Sequence, residues 1–235
     1  PPITTEGYTT PTSYDGMTLA WSDEFDGESL NLSNWTHETG NGSGGWGNNE
    51  LEYYTANNTI VENGYLTIKA KKESAGGFNY TSSRIITKGK KEFTYGRVDI
   101  RAQLPKGQGI WPALWMLGAN ISQVSWPKCG EIDIMEMVGG AGDKNRTSYG
   151  TLHWFNDNAG AHACTCDKPG HVLSSGIFND KFHVFTITWD ESFIIWYVDD
   201  VEFNRIDITP ADLDEFHKDH FFIINHIALV KEYDK

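Results

Sequence analysis

Apolar and polar residues alternate in short runs along most of this chain, and clusters of Gly, Asn and Asp separate the runs. A period of two over four to eight residues marks a strand with one buried face, and such clusters are turn formers. Residues 65–70 follow the turn Asn63-Gly64. Residues 96–102 place Val98 and Ile100 on one face and charged residues on the other. Residues 182–189 reach a turn at Asp190-Glu191-Ser192 and return as 193–198, and Asp199-Asp200 turns that strand into 201–203. The one predicted helix start is Thr209-Pro210-Ala211-Asp212, with Thr209 as N-cap and Pro210 at the first position. Residues 1–16, rich in Pro, Thr, Gly and Tyr and without a period, read as a tail or linker, and 17–235 as one domain. The pattern predicts an all-β, two-sheet antiparallel β-sandwich of jelly-roll type.

One run breaks the pattern. Gly130-Glu131-Ile132-Asp133-Ile134-Met135-Glu136-Met137-Val138 carries three acids inside an otherwise apolar strand, where an unpaired buried charge costs several kcal/mol. On a regular strand Glu131 and Asp133 share a face, and Glu136, five residues on, points the other way. An extra residue near Ile134 or Met135, a β-bulge, returns Glu136 to the face of Glu131, with Ile132 and one residue of the bulge in the core. The two Glu then stand four strand steps apart, about 13 Å along the backbone. Long side chains leaning together can bring the carboxyls to the ~5–5.5 Å that a retaining glycosidase uses. Asp133, between them, would bond one Glu and shift its pKa by like-charge coupling.

Composition narrows the partners. The formal net charge is −13 over 235 residues, which argues against nucleic acid and against an anionic membrane surface. Nine Trp exceed the needs of a sandwich core, and sugars stack their CH faces on flat rings. Cys129, Cys164 and Cys166 show no C-x-x-C metal spacing. Cys164 and Cys166 read as poor partners for each other, with a bridge from Cys129 to one of them as the alternative. No apolar run reaches transmembrane length. Seven N-x-[ST] sequons, at Asn31, Asn34, Asn41, Asn57, Asn79, Asn120 and Asn145, are compatible with export. The expectation is a secreted protein (extracellular, periplasmic or cell-surface), monomeric, with no nucleic-acid or membrane partner.

At the carboxylate strand the chain resembles the laminarinase-like branch of glycoside hydrolase family 16, whose members carry Glu-x-Asp-x-x-Glu on a bulged strand. The segments 21–27, 45–55, 83–85, 107–117 and 150–154 match as well, so the resemblance covers roughly residues 17–228. It implies a β-jelly roll with a concave cleft, Glu131 as nucleophile, Glu136 as general acid and later base, and Asp133 as the residue that orients Glu131. It further implies glycone-side contacts from Asn49, Arg84, Trp111 and Trp115, and a histidine, His153, near the acid/base. Trp126, just ahead of Cys129, is a further candidate sugar contact. No cofactor is implied for catalysis. A structural calcium is implied at Glu24, a carbonyl near Gly64 and an acid of the final strand; that strand and the loop before it look shortened in this chain, where only 229–235 follow Ala228.

The resemblance implies endo-acting hydrolysis of β-1,3-glucan of the laminarin type, with mixed-linkage β-1,3-1,4-glucan as the nearest alternative substrate and transglycosylation as another outcome of the same chemistry. The rival from a different class is a β-glucan-binding, lectin-like protein on the same fold. It is disfavoured because Glu131, Asp133 and Glu136 are all present.

Overall fold

Two turns set the hairpins that flank the sandwich. Asn63-Gly64 and Asp199-Asp200 hold φ of 54° and 75°, and of 52° and 63°, the left-handed backbone whose twist matches the strands of a two-residue hairpin. Glu62 therefore pairs with Tyr65, and Val198 with Val201.

The computed structural model describes residues 5–228. Over these residues the larger sheet runs, in spatial order, Thr36–Glu38, Arg84–Ile86, His220–Ala228, Ile110–Gly118, Glu131–Glu136, Thr147–Asn156 and Ala161–Cys164. The smaller sheet runs Val201–Asp207, Phe193–Val198, His183–Trp189 and Gly96–Ala102. Neighbouring strands in both are antiparallel. The two inner faces share one core, with Met116, Ile132, Leu152 and Ile134 from the larger sheet against Phe185, Ile187, Ile194 and Trp196 from the smaller. The expected all-β sandwich is what forms.

The bulge lies where the odd spacing of the acids requires it. Against the strand Ile110–Gly118, Asp133 pairs with Trp115 and Met135 with Leu114, so Ile134 has no partner in that ladder. Ile134 and Met135 are both buried in the core, as is Ile132, one more buried bulge residue than the pattern predicts. The main-chain carbonyl of Asp133, at the break, accepts the indole N–H of Trp196 from the opposite sheet at 2.8 Å. Gly150 makes room for that indole, since a Cβ there would lie 2.2 Å from the Trp196 ring.

Three expectations change. The turn after Thr209 is a 3-10 helix, Ala211–His217, that begins after Pro210 without a side-chain cap. Thr209 instead donates its backbone N–H and hydroxyl to Asp207, an acceptor two residues upstream that competes with the capping role. A one-turn α-helix, Ile121–Val124, was not anticipated; four residues are too few for a helical period to register. Cys164 and Cys166 do pair, as a disulfide, and Cys129 is free and buried; the end of the strand at Cys164 lets the chain fold back within two residues.

Residues 5–16 form no strand or helix apart from a bridge between Gly7 and Phe182. They lie against the outer side of the smaller sheet, where Tyr14 donates to Asp99 at 2.7 Å and Arg101 donates to the carbonyls of Thr5 and Tyr8. Residues 229–235, on which the expected shortening of the final strand falls, lie outside the described residues.

Trp196→Phe keeps most of the packing and removes the donor to the bulge carbonyl. Urea unfolding is expected to show a loss of about 1–3 kcal/mol. A loss under about 0.5 kcal/mol would mean that the bulge does not depend on the indole.

Candidate active site

The bulge decides which side chains meet on the outer face of the larger sheet. Along the strand Ile110–Gly118 the residues Trp111, Ala113, Trp115 and Leu117 alternate with the core-facing Leu114 and Met116. Glu131 pairs with Leu117, Asp133 with Trp115 and Glu136 with Ala113. All three acids thus share the face of Trp111 and Trp115, as the spacing argument predicts. On the other flank, His153 stands opposite Glu131, Thr151 opposite Asp133 and Tyr149 opposite Glu136.

Each acid has its own partner. The Trp126 indole donates to Glu131 Oε2 at 2.8 Å and the Trp111 indole to Glu136 Oε1 at 2.9 Å. His153 Nε2 lies 3.3 Å from Asp133 Oδ2. Oxygens of Glu131 and Asp133 and a nitrogen of His153 all fall within 4.8 Å of one another. His153, which the resemblance sets near Glu136, therefore serves the Glu131–Asp133 end of the row. Asp133 is buried, whereas Glu131 and Glu136 are half-buried.

Burial is the largest influence on Glu131 and pushes its carboxyl well above the usual range. The charges of Asp133 and then Glu136 push the same way, while His153 and the Trp126 hydrogen bond oppose them. Such a carboxyl is poorly solvated as an anion, and a poorly solvated anion is a strong nucleophile once ionised.

Beside this row lies an aromatic and cationic floor. The Arg84 guanidinium sits 4.8 Å from the Trp115 ring and 4.5 Å from the Trp46 ring, close enough for cation–π attraction. Its Nε donates to Glu38 at 2.5 Å. Arg84 is buried, so its pairing with Glu38 is not a surface ion pair. Trp115 donates to Asn225 Oδ1 at 2.8 Å, Asn225 donates to Tyr54 Oη at 3.1 Å, and Tyr54 donates to Glu50 at 2.6 Å. Glu52 is fully buried beside them. Burial first, and the charge of Glu50 second, raise its pKa to about 8.

Asn49 is exposed, in the Gly45–Asn49 turn that carries Trp46; its φ of 57° is one that Asn tolerates better than most residues. Glu24 is exposed on a surface depression formed by residues 22–31 and Asn34, and Gly64 approaches it through Asp26. Among the described residues Glu24 belongs to no cluster of three carboxylate, histidine or cysteine ligand atoms, and the strand expected to complete the set falls in 229–235. The donors present do not by themselves fit a calcium.

Sequence reasoning missed Glu38, Trp46, Glu50, Glu52, Tyr54, Asn225 and His162. The alternation Glu50-x-Glu52-x-Tyr54 was a signal, because a polar stripe at period two can lie beneath a site as well as in water. The rest depends on long-range register, such as Asn225 against Ala113 and Arg84 against Glu38.

The chain is similar to known proteins in sequence and in fold. The model of the family described as glycosyl hydrolases family 16 matches residues 46–219. A beta-glucanase of Rhodothermus marinus is 40% identical over 90% of this chain and 75% of its own length. The clotting factor G alpha subunit of Tachypleus tridentatus is 39% identical over 81% of this chain, which spans only 26% of that protein. In three dimensions the chain superimposes on the laminarinase catalytic domain from Thermotoga maritima MSB8 with a TM-score of 0.80 and 45% identity, covering 90% of this chain and 87% of the other.

Two titrations test the electrostatics. Followed by carboxyl carbon NMR, the Glu131 pKa is expected to fall by about one unit in Asp133→Asn, which removes a repelling charge, and to rise by about one unit in Trp126→Phe, which removes a donor to the anion. Shifts of the opposite sign would show that the partners are misassigned.

Glu52 gives a stability test. Its folded pKa, about 8, lies above the ordinary 4.5, so the fold prefers the protonated acid. The resulting penalty is absent below pH 4.5, grows as pH rises to about 8 and is constant beyond. Glu52→Gln should therefore be more stable than the parent by at least about 1 kcal/mol at alkaline pH and should gain nothing in acid. A gain independent of pH would reject the assignment.

Proposed function

Because the chain belongs to glycosyl hydrolases family 16, we propose that it is an endo-acting, retaining β-1,3-glucanase whose nucleophile is Glu131 and whose acid/base is Glu136. The observation that carries this reading is the bulge at Ile134, which brings Glu131, Asp133 and Glu136 to one face of one strand.

Hydrolysis on this arrangement runs in two displacements. Glu131 attacks the anomeric carbon while Glu136, protonated, donates its proton to the departing glycosidic oxygen. A covalent glucosyl ester on Glu131 results. Glu136, now a carboxylate, takes a proton from water, and the water oxygen displaces Glu131 and restores the original configuration. The Trp126 indole holds Glu131 Oε2, and the Trp111 indole holds Glu136 Oε1. Asp133, backed by His153, places its charge beside Glu131, which raises the basicity of that carboxylate and with it its nucleophilicity toward the anomeric carbon. Trp46, Trp115 and Arg84 offer a flat platform for the sugar ring on the glycone side, with Asn49 at its rim. No catalytic step uses a cofactor.

The acidic surface and the sequons fit a monomer acting on neutral glucan outside the cell. No helix among the described residues is long and apolar enough to cross a membrane. The chain spans about a quarter of the clotting factor subunit and three quarters of the R. marinus enzyme; the activity of any longer protein is part of the same proposal.

Release of reducing ends from laminarin, measured beside lichenan, is the direct test. Laminarin is expected to be cleaved faster, and glucan binding without release would favour the lectin-like reading. Glu131→Ser should retain less than about 1% of the activity while still binding glucan. Glu136→Ala should lose about 10²–10⁴-fold on laminarin and much less on an aryl glucoside with a good leaving group, for which acid assistance matters little. Equal losses on the two substrates would remove Glu136 from the role.

A further inference from the structure

The edge strand Ala161–Cys164 and the turn beyond it carry His162, Cys164 and Cys166 at a period of two. Cys164 is the cross-strand partner of His153, so their side chains project from the same face. Ligand atoms of His153, Cys164 and Cys166 all lie within 4.8 Å of one another. The two imidazoles stack with centroids 5.2 Å apart, and His162 Nε2 is 3.0 Å from His153 Nδ1. Two sulfurs and two imidazoles are a donor set for a tetrahedral soft or borderline cation. In the structure the sulfurs are joined as a disulfide, which withholds them from a metal. Cys166 and His162 are exposed, so reductant and cation can both reach them.

We propose that reduction of the Cys164–Cys166 disulfide opens a site for a thiophilic divalent cation such as Zn²⁺, formed by Cys164, Cys166 and His153 with His162 completing it, and that occupancy of this site switches the enzyme off. A phosphine supplies the two electrons and becomes its oxide with oxygen from water, and two protons convert the sulfurs to thiols. The cation then displaces both thiol protons and binds the thiolates. The link to activity is His153, whose other nitrogen faces Asp133 at 3.3 Å. Ligation turns the ring toward the sulfurs and removes the group that supports the Asp133 end of the carboxylate row. The cation site stands on its own geometry; only its inhibitory effect rests on the glucanase reading.

The test uses the whole chain, oxidised or reduced with a phosphine and then freed of it under argon. Cd²⁺ added to the reduced protein is expected to give a thiolate-to-metal absorption band in the ultraviolet that saturates at one ion per chain. The oxidised protein should give no such saturating band, and Cys166→Ser, which keeps only one thiolate, should give a weaker band with affinity at least about tenfold lower. His162→Ala should keep the band with weaker affinity. Zn²⁺ should inhibit laminarin cleavage by the reduced protein and spare both the oxidised protein and Cys166→Ser. Absence of the band from the reduced protein overturns the proposal, as does equal Cd²⁺ affinity in the oxidised form, which would assign the ion to Glu131, Asp133 and His153. A normal band without inhibition would retain the site and reject its control of activity. If the protein cleaves no glucan in any state, the band still decides whether the site exists.

Discussion

A strand presents alternate residues to alternate faces, and five is an odd number. Glu131 and Glu136 can work on one bond only if a residue between them is taken out of the ladder, and Ile134 is that residue. Its removal leaves two debts: an extra apolar side chain to bury and a break in the main-chain pairing. Ile134 and Met135 enter the core together, and the Trp196 indole crosses from the other sheet to the Asp133 carbonyl. The requirement reaches as far as Gly150, where no side chain larger than hydrogen leaves space for that indole. The site is thus tied to the packing of both sheets through the strand that bears it.

The carboxylate row was readable from the chain because its chemistry conflicts with its surroundings. Three acids among Ile and Met have no structural use, and their offsets allow only a bulge. Hairpins at Asn63-Gly64 and Asp199-Asp200 were readable for a similar reason, since few residues accept positive φ at two successive positions. The floor of the site was not readable. Asn225 comes 110 residues after Trp115 in a strand that looks like plain core, and only the pairing of that strand with Ile110–Gly118 brings its amide to Trp115. Glu50-Leu51-Glu52 comes directly after Gly47-Asn48-Asn49, where an acid in water and an acid under a platform look alike in sequence. Thr209 looked like an N-cap because capping depends on whether a nearer acceptor competes, and here Asp207 does.

Indole N–H groups recur through the molecule as a means of holding oxygen. Trp111 holds Glu136, Trp126 holds Glu131, Trp115 holds Asn225, and Trp196 holds a main-chain carbonyl. An indole donates one hydrogen bond and accepts none, so it fixes an anion without exchanging a proton with it. That suits the proposed roles, in which Glu131 forms a bond to carbon and Glu136 alone exchanges protons with substrate and water. It also accounts for the high tryptophan content without assigning every ring to sugar.

Of the nine tryptophans, Trp126 is the one that is exposed, and it is the one bonded to Glu131, the proposed nucleophile. An indole whose N–H points at a carboxylate absorbs and emits differently when that carboxylate gains a proton or becomes an ester. The protein therefore carries a spectroscopic reporter on the Glu131 carboxyl, where its proposed chemistry begins. Its near-ultraviolet signal should distinguish the free carboxyl from the proposed covalent intermediate in a single turnover, with no label attached.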